Sequence, residues 1–263
     1  MSIITISRGS YSKGKEVAEK VSERLGYECI SREVLLEASK EFNVPEIRLA
    51  RAIHDAPSIL DRIGYKKDRY IAFIWAALLQ HFRRGNVVYY GLAGHFLVKD
   101  IPHVLKVRVN ADLDMRVRSE VEREGISRKE ALSTIKHDDE ERKKWSKYLY
   151  GINTSDPSLY DLVIHIGNMS TEDAASVICS TVALDTFKTT PESQQDLEDI
   201  AIAAQVKAAL MDIAPDVDVV ASGGIVQIHT AVLLFEAKGI ISDIQTIARS
   251  IKGVKDAKVG VKP

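Results

Sequence analysis

Short β-branched runs alternate with amphipathic helical stretches along residues 3–187. The run Ile3–Ile6 precedes a polar loop, after which apolar residues recur at helical spacing from Val17 to Leu25. Three further strand-like runs are separated by helical stretches, and they are Val87–Tyr90, Val104–Val109 and Leu162–Ile166. This alternation predicts an α/β fold in which helices cover both faces of a parallel sheet.

Two helical regions interrupt the strand pattern. Asp68–Arg83 places its apolar residues on one side and predicts a packed helix. Ala111–Tyr150 is dense in charge, and Gly125–Ser127 predicts a break between two helices there. A helical pair of this kind suits a mobile lid. Because its basic and acidic residues nearly balance, a solvated charged surface is the alternative.

The chain changes character after its first domain. Lys188–Asp196 is a polar run that predicts a linker. Residues 197–263 begin with an amphipathic helix, continue with two strands around the glycine turn Ser222–Gly224, and end with a second helix and a strand. We therefore predict two domains, residues 1–187 and 197–263, the second a small α+β domain of order α-β-β-α-β.

Composition excludes several function classes. Of the 263 residues 45% are hydrophobic and 28% charged, and the net charge of −1 gives no global attraction for nucleic acid. Cys29 and Cys179 form no CxxC pair, which argues against a zinc site or a disulfide framework. Because Met1–Arg8 has no export signal and no apolar run is long enough for a transmembrane segment, we expect a cytoplasmic protein.

The loop between the first strand and the first helix, Gly9–Lys15, matches the pattern GxxxxGK. Backbone N–H groups at a helix start can surround phosphate oxygens, the helix dipole favours an anion, and Lys15 adds a mobile positive charge. Tyr11 is bulky for such a loop, and Glu16 stands where Ser or Thr would hold magnesium, so the metal ligands stay unknown. An ordinary polar turn with a capping serine is the alternative.

Several short motifs occur in one order along residues 1–180. They are Ile4–Arg8, the loop, the helix leading to Leu25–Tyr27, Asn110–Arg116, Asp139–Arg142 with Tyr150-Gly151 after it, and Tyr160–Ile164. With these motifs the segment resembles the cytidylate-kinase-like family of P-loop kinases. The resemblance implies ATP-dependent phosphorylation of CMP or a related nucleotide, with Mg2+ as the usual companion of ATP.

The resemblance also implies roles for individual residues. Lys15, Arg116 and Arg142 would stabilise the transferring phosphoryl group, and Asp139 would orient Arg142 through a charge-assisted hydrogen bond. The residues that would contact ATP are Gly9, Ser10, Ser12, Lys13, Gly14, Lys15, Glu16 and Arg118. The acceptor phosphate would be bound by Arg8 and Arg32.

Residues 197–262 resemble the BON domain through the hairpin Ser222–Ile228 and the turn Ile251–Asp256. No catalytic constellation occurs there. The resemblance implies regulation, self-association into a homo-oligomer, or binding of a protein partner.

Departures from the kinase pattern support a second hypothesis. Tyr11, Glu16, Ser31 and Leu92 replace residues that the family usually has at its phosphate and acceptor sites. These changes, together with the attached module, also fit a non-catalytic nucleotide-binding regulator. A purely structural interaction protein is the third hypothesis.

Overall fold

The computed structural model describes residues 1–9, 11–31, 33–44, 46, 65–91, 94–230 and 237–261. Within these ranges the chain forms two compact units. The first comprises residues 1–33 and 85–189, and the second comprises described residues of 34–46, 65–84 and 190–261. Across the described ranges, no helix has both the length and the apolar composition that crossing a membrane requires.

A five-stranded parallel sheet is the centre of the first unit. The strands are β1 (Ile3–Arg8), β2 (Glu28–Ile30), β3 (Val87–Tyr90), β4 (Val104–Ala111) and β5 (Leu162–Ile166). Their order is β2-β3-β1-β4-β5, and all neighbouring pairs are parallel. This confirms the predicted α/β fold with a parallel sheet.

Helices follow most strands of the first unit. They are α1 (Gly14–Leu25), α4 (Gly94–Leu97), α5 (Leu113–Glu124), α6 (Arg128–Tyr150) and α7 (Thr171–Val182), with single 3-10 turns at Pro157–Leu159 and Asp185–Phe187. The main core forms where α1 and α7 pack on one face of the sheet. Its members include Ile4, Ile6, Val17, Val21, Val107, Val109, Ala174 and Ile178. Because β1 is the central strand, Ile4 and Ile6 are almost fully buried.

Helices α5 and α6 form the predicted charged pair. Gly125 ends α5 with a left-handed φ of 67°, and Ser127 caps α6 through a reciprocal capping box with Glu130. The two helices meet at a small cluster of Val117, Ala131 and Ile135. The break predicted at Gly125–Ser127 is therefore confirmed.

The second unit contains the remaining helices and a mixed sheet. Its elements are α2 (Glu33–Glu41, from Val34 onward), α3 (Tyr65–Arg84), α8 (Pro191–Leu210), β6 (Asp218–Ser222), β7 (Ile225–Thr230), α9 (Ala237–Ser250) and β8 (Asp256–Val261). Strands β6 and β7 are antiparallel, and β8 runs parallel to β7. The predicted order α-β-β-α-β is confirmed from α8 to β8.

The predicted linker requires a correction. Helix α8 begins at Pro191, inside Lys188–Asp196, because Thr190 and Ser193 form a capping box and Pro fits the first helical turn. Helix α3 packs against α8, with an ion pair between Arg83 and Glu198. The boundary between the predicted domains and the BON resemblance stay predictions.

Candidate functional site

The predicted phosphate loop lies at the carboxyl end of β1. Gly9 donates its backbone N–H to Val109 O at 3.3 Å. The buried Ser12 hydroxyl lies 2.9 Å from Gly9 O and 3.0 Å from Val109 O. These contacts fix the loop against β4, the neighbouring strand.

The loop enters α1 without a side-chain cap. Lys13 is the N-cap residue in a left-handed conformation, with φ 62°, and its side chain makes no capping hydrogen bond. The Ser12 hydroxyl is directed at the two carbonyls, and the N-cap position belongs to Lys13. Among the described residues of the loop, no serine side chain caps the helix, and the choice between a phosphate loop and an ordinary polar turn stays a prediction. The start of α1 keeps the N–H groups and the dipole that favour an anion.

A cavity of about 430 Å3 opens between this loop and the helix pair α5 and α6. Among the described residues, its lining side chains are Arg8, Tyr11, Lys13, Lys15, Ser119, Glu120, Arg123, Asp138 and Arg142, together with Gly14. Five of these are basic and two are acidic. Such an excess of positive charge in a concave site favours a multiply charged anion.

Arg8 and Arg142 are the two most buried cations of the cavity. Burial lowers the pKa of Arg8 to about 10, and the neighbouring charge of Arg142 contributes in the same direction. Burial also lowers the pKa of Arg142, which donates to Arg8 O at 3.4 Å. Arg8 Nε is buried and has no hydrogen-bond partner within the described part of the chain. Both guanidinium groups would gain from a bound anion.

The other arginines proposed from the sequence separate into two cases. Arg116 donates to Asp139 Oδ2 at 2.7 Å, and its guanidinium lies beside Gly9. Asp139 thus orients Arg116, and its predicted role of orienting Arg142 stays a prediction. Arg118 is exposed and does not belong to the residues that line the cavity.

Lys15 and Glu16 lie differently with respect to the cavity. Lys15 lines it, with its side chain 65% exposed and its Nζ 3.6 Å from Glu19. Glu16 accepts a 2.6 Å hydrogen bond from Thr171 at the start of α7, which is the reason it does not face the cavity. In the described ranges, no group of three or more His, Cys, Asp or Glu side chains could hold a metal.

Three predicted positions are outside the described residues. They are Ser10 in the loop, Arg32 as an acceptor contact, and Leu92 among the departures. Their proposed roles stay predictions.

Several cavity residues were not predicted from the sequence. Glu120 and Arg123 lie four and seven positions after Arg116, a spacing that puts all three on one face of α5. That spacing could have predicted that Glu120 and Arg123 share a face with Arg116. No sequence pattern predicts the position of Asp138, because its partner, the Tyr11 hydroxyl, is 127 positions away in the sequence.

The sequence also matches known proteins. The model of the cytidylate kinase-like family matches residues 3–168. A cytidylate kinase of Ignicoccus hospitalis is 29% identical over 68% of this chain and 97% of its own length. One from Pyrococcus horikoshii is 33% identical over 36% of this chain, and the match spans 49% of that protein.

A solved structure supports the fold. An uncharacterized protein from Eubacterium ventriosum superposes with a TM-score of 0.53 at 23% identity, over 69% of this chain and 98% of that one.

Proposed function

The chain belongs to the cytidylate kinase-like family, and from that premise we propose that it transfers the γ-phosphoryl group of ATP to CMP or a closely related nucleotide. The observation that carries the proposal is the basic cavity at the loop Gly9–Lys15. Phosphoryl transfer needs little covalent chemistry from the protein. It needs positioning and compensation of negative charge, which such a cavity supplies.

The cations of the cavity have separate tasks in this proposal. Lys13 and Lys15 neutralise the ATP phosphates that lie at the start of α1. Arg142 stabilises the transferring group, and Arg8, at the end of β1, reduces the repulsion between donor and acceptor phosphates. Arg116, held by Asp139, supports the loop from the side of Gly9.

The family implies ATP as donor and usually Mg2+ with it. Within the described residues no group of three or more His, Cys, Asp or Glu side chains could hold this ion, and Glu16 accepts a hydrogen bond from Thr171. When bound to ATP, Mg2+ neutralises phosphate charge and needs few protein ligands. We assign it no protein ligand.

A coupled assay tests the proposal. The protein is supplied with ATP, Mg2+ and one of CMP, dCMP, UMP or AMP, and CMP or dCMP is expected to give the highest kcat/KM. Lys15→Ala should lower kcat/KM about 100-fold or more, because a positive charge that neutralises the ATP phosphates is lost. Lys20→Ala is the matched control, since Lys20 lies on the same helix and pairs with Glu172 at 2.9 Å.

The assay also tests the regulator hypothesis. If calorimetry shows ATP binding and no monophosphate is phosphorylated, the kinase proposal is wrong. The binding site would then serve to sense a nucleotide.

A further inference from the structure

Tyr11 connects the phosphate loop to the helix pair α5 and α6. Its backbone is left-handed, with φ 57°, a conformation that residues other than Gly rarely adopt. Such strain persists only where surrounding contacts compensate for it. The contacts of the Tyr11 side chain therefore indicate which interactions compensate for the strain in the loop.

Three contacts hold the ring, and all three come from the helix pair. The ring packs against the apolar cluster of Val117, Ala131 and Ile135. Its hydroxyl donates to Asp138 Oδ2 on α6 at 2.9 Å. The Arg123 guanidinium of α5 lies 4.8 Å from the ring centroid, within the range of a cation–π contact.

The hydroxyl remains a hydrogen-bond donor at neutral pH. Burial raises the pKa of Tyr11, and the hydrogen bond to Asp138 raises it further. A phenol that donates to a carboxylate forms a charge-assisted hydrogen bond. The Tyr11 side chain, which we call the anchor of the helix pair, is thus polar at its hydroxyl end and apolar along its ring.

We propose that Tyr11 is a positioning residue, which holds α5 and α6 over the phosphate loop before any nucleotide binds. The proposal rests on the function proposed above, because it assigns this helix pair the task of a lid. Arg142 and Arg116 lie on the anchored helices, so the anchor keeps their charges next to the loop. A lid that is already in place raises nucleotide affinity, since less of the binding free energy is spent on closure.

The position of the lid can be measured without a nucleotide. Spin labels at Glu23→Cys on α1 and Lys136→Cys on α6, both exposed positions, report the distance between loop side and lid. Cys29 and Cys179 are replaced by Ser, because both are free thiols. We expect one narrow distance distribution in the parent chain and a clearly broader one in Tyr11→Gly, which relieves the backbone strain and removes all three contacts.

Two conservative variants separate the contacts. Tyr11→Phe keeps the packing and loses the bond to Asp138, so its distribution should be intermediate, and Asp138→Asn should resemble it. Glu141→Gln is the matched control, because Glu141 pairs with Lys144 within α6 at 3.0 Å. It should leave the distribution unchanged.

Kinetics supply the second readout. Tyr11→Gly should raise the KM for ATP five- to tenfold with kcat changed less than twofold, since saturating ATP can close the lid by itself. A distribution as narrow in Tyr11→Gly as in the parent chain would overturn the proposal. A loss of kcat at unchanged KM would do the same. Absence of kinase activity in the parent chain would refute the proposed function alone, because the distance measurement requires no turnover.

Discussion

The side chain of Arg8 passes directly over Gly14. A Cβ atom at Gly14 would lie 2.7 Å from Arg8 Cδ and 2.8 Å from Arg8 Cβ, closer than real contacts allow. Glycine at position 14 therefore allows the Arg8 side chain to pack against the phosphate loop. Its backbone has no positive φ that would require glycine on other grounds.

Gly14→Ala should displace Arg8 and weaken nucleotide binding. The added methyl group cannot coexist with the present Arg8 conformation, so either Arg8 or the start of α1 must move. We expect ATP affinity to fall about tenfold, or about 1.4 kcal/mol, in calorimetry. Gly167→Ala is the control, because its nearest contact would be an ordinary 3.4 Å to His165. Equal affinities in both variants would contradict this account of Gly14.

The sequence predicted the elements whose periodicity is local. Strand β1, the loop and α1 follow from a β-branched run, a glycine pattern and helical spacing, and the structure has all three. Strand β2 was missed. Glu28–Ile30 is only three residues long, and its strand geometry depends on pairing with β3, which no local pattern reveals.

Side-chain partners were harder to predict than elements. The loop and the charged helix pair could be assigned to one site by motif order, yet the bond between Arg116 and Asp139 could not. Arg142 lies three positions after Asp139 on α6, whereas Arg116 lies on α5, so the 2.7 Å bond between Arg116 and Asp139 depends on how the two helices pack. The role of Tyr11 depends on a contact with Asp138 across 127 positions.

Glu16→Gln tests whether Glu16 takes part in binding Mg2+. Its carboxylate accepts from Thr171 and lies 3.7 Å from Lys13 Nζ, so we expect it to support the junction of α1 and α7 and not the metal. The Mg2+ concentration for half-maximal kinase rate should change less than twofold. A shift of tenfold or more would make Glu16 a metal ligand after all. Thr171→Val should lower the free energy of unfolding by about 1.5 kcal/mol, the low end for a hydrogen bond to a charged group, because the Glu16 side chain is half exposed.

His95 should make the protein sensitive to mild acid. Its ring is buried between Phe96 and Tyr160, and burial lowers its pKa to about 3, with smaller contributions from the charges of Arg108 and Lys106. The unfolded chain binds a proton at this group below about pH 6.5 and the folded chain does not, so stability falls as the pH decreases from 6.5 towards 3.

Urea unfolding at two pH values measures this effect. Between pH 7.5 and pH 5.0 the His95 contribution to the free energy of unfolding should decrease by about 2 kcal/mol. His95→Phe should lose this part of the pH dependence, since a phenyl ring fits the aromatic surroundings and binds no proton. The surface variant His165→Gln should keep it. Identical slopes for the parent chain and His95→Phe would show that His95 is not the responsible group.

Asp199 should determine the stability of the β6–β7 hairpin. This carboxylate is buried on α8 and accepts the backbone N–H groups of Gly223 and Gly224 at 2.8 and 3.1 Å. Gly224 has a left-handed φ of 84°, and a Cβ atom there would lie 2.8 Å from Gly253 O, so this position of the turn requires glycine. Asp199→Ala leaves two N–H groups without their charged acceptor, and hydrogen bonds to charged groups contribute about 1.5–3 kcal/mol each.

Hydrogen exchange of the whole chain measures the consequence. Amides of β6 and β7 in Asp199→Ala should lose about 2–3 kcal/mol of protection. In Asp199→Asn the protection of these amides should lie between that of the parent chain and that of Asp199→Ala. The side-chain carbonyl oxygen can still accept one N–H, while the NH2 group faces the other donor. Asp196→Ala removes an exposed carboxylate from the same helix and should leave the hairpin unchanged. If the β6 and β7 amides were as well protected in Asp199→Ala as in Asp196→Ala, the prediction would be wrong. The pairing of β6 with β7 would then be sufficient to hold the turn without the buried carboxylate.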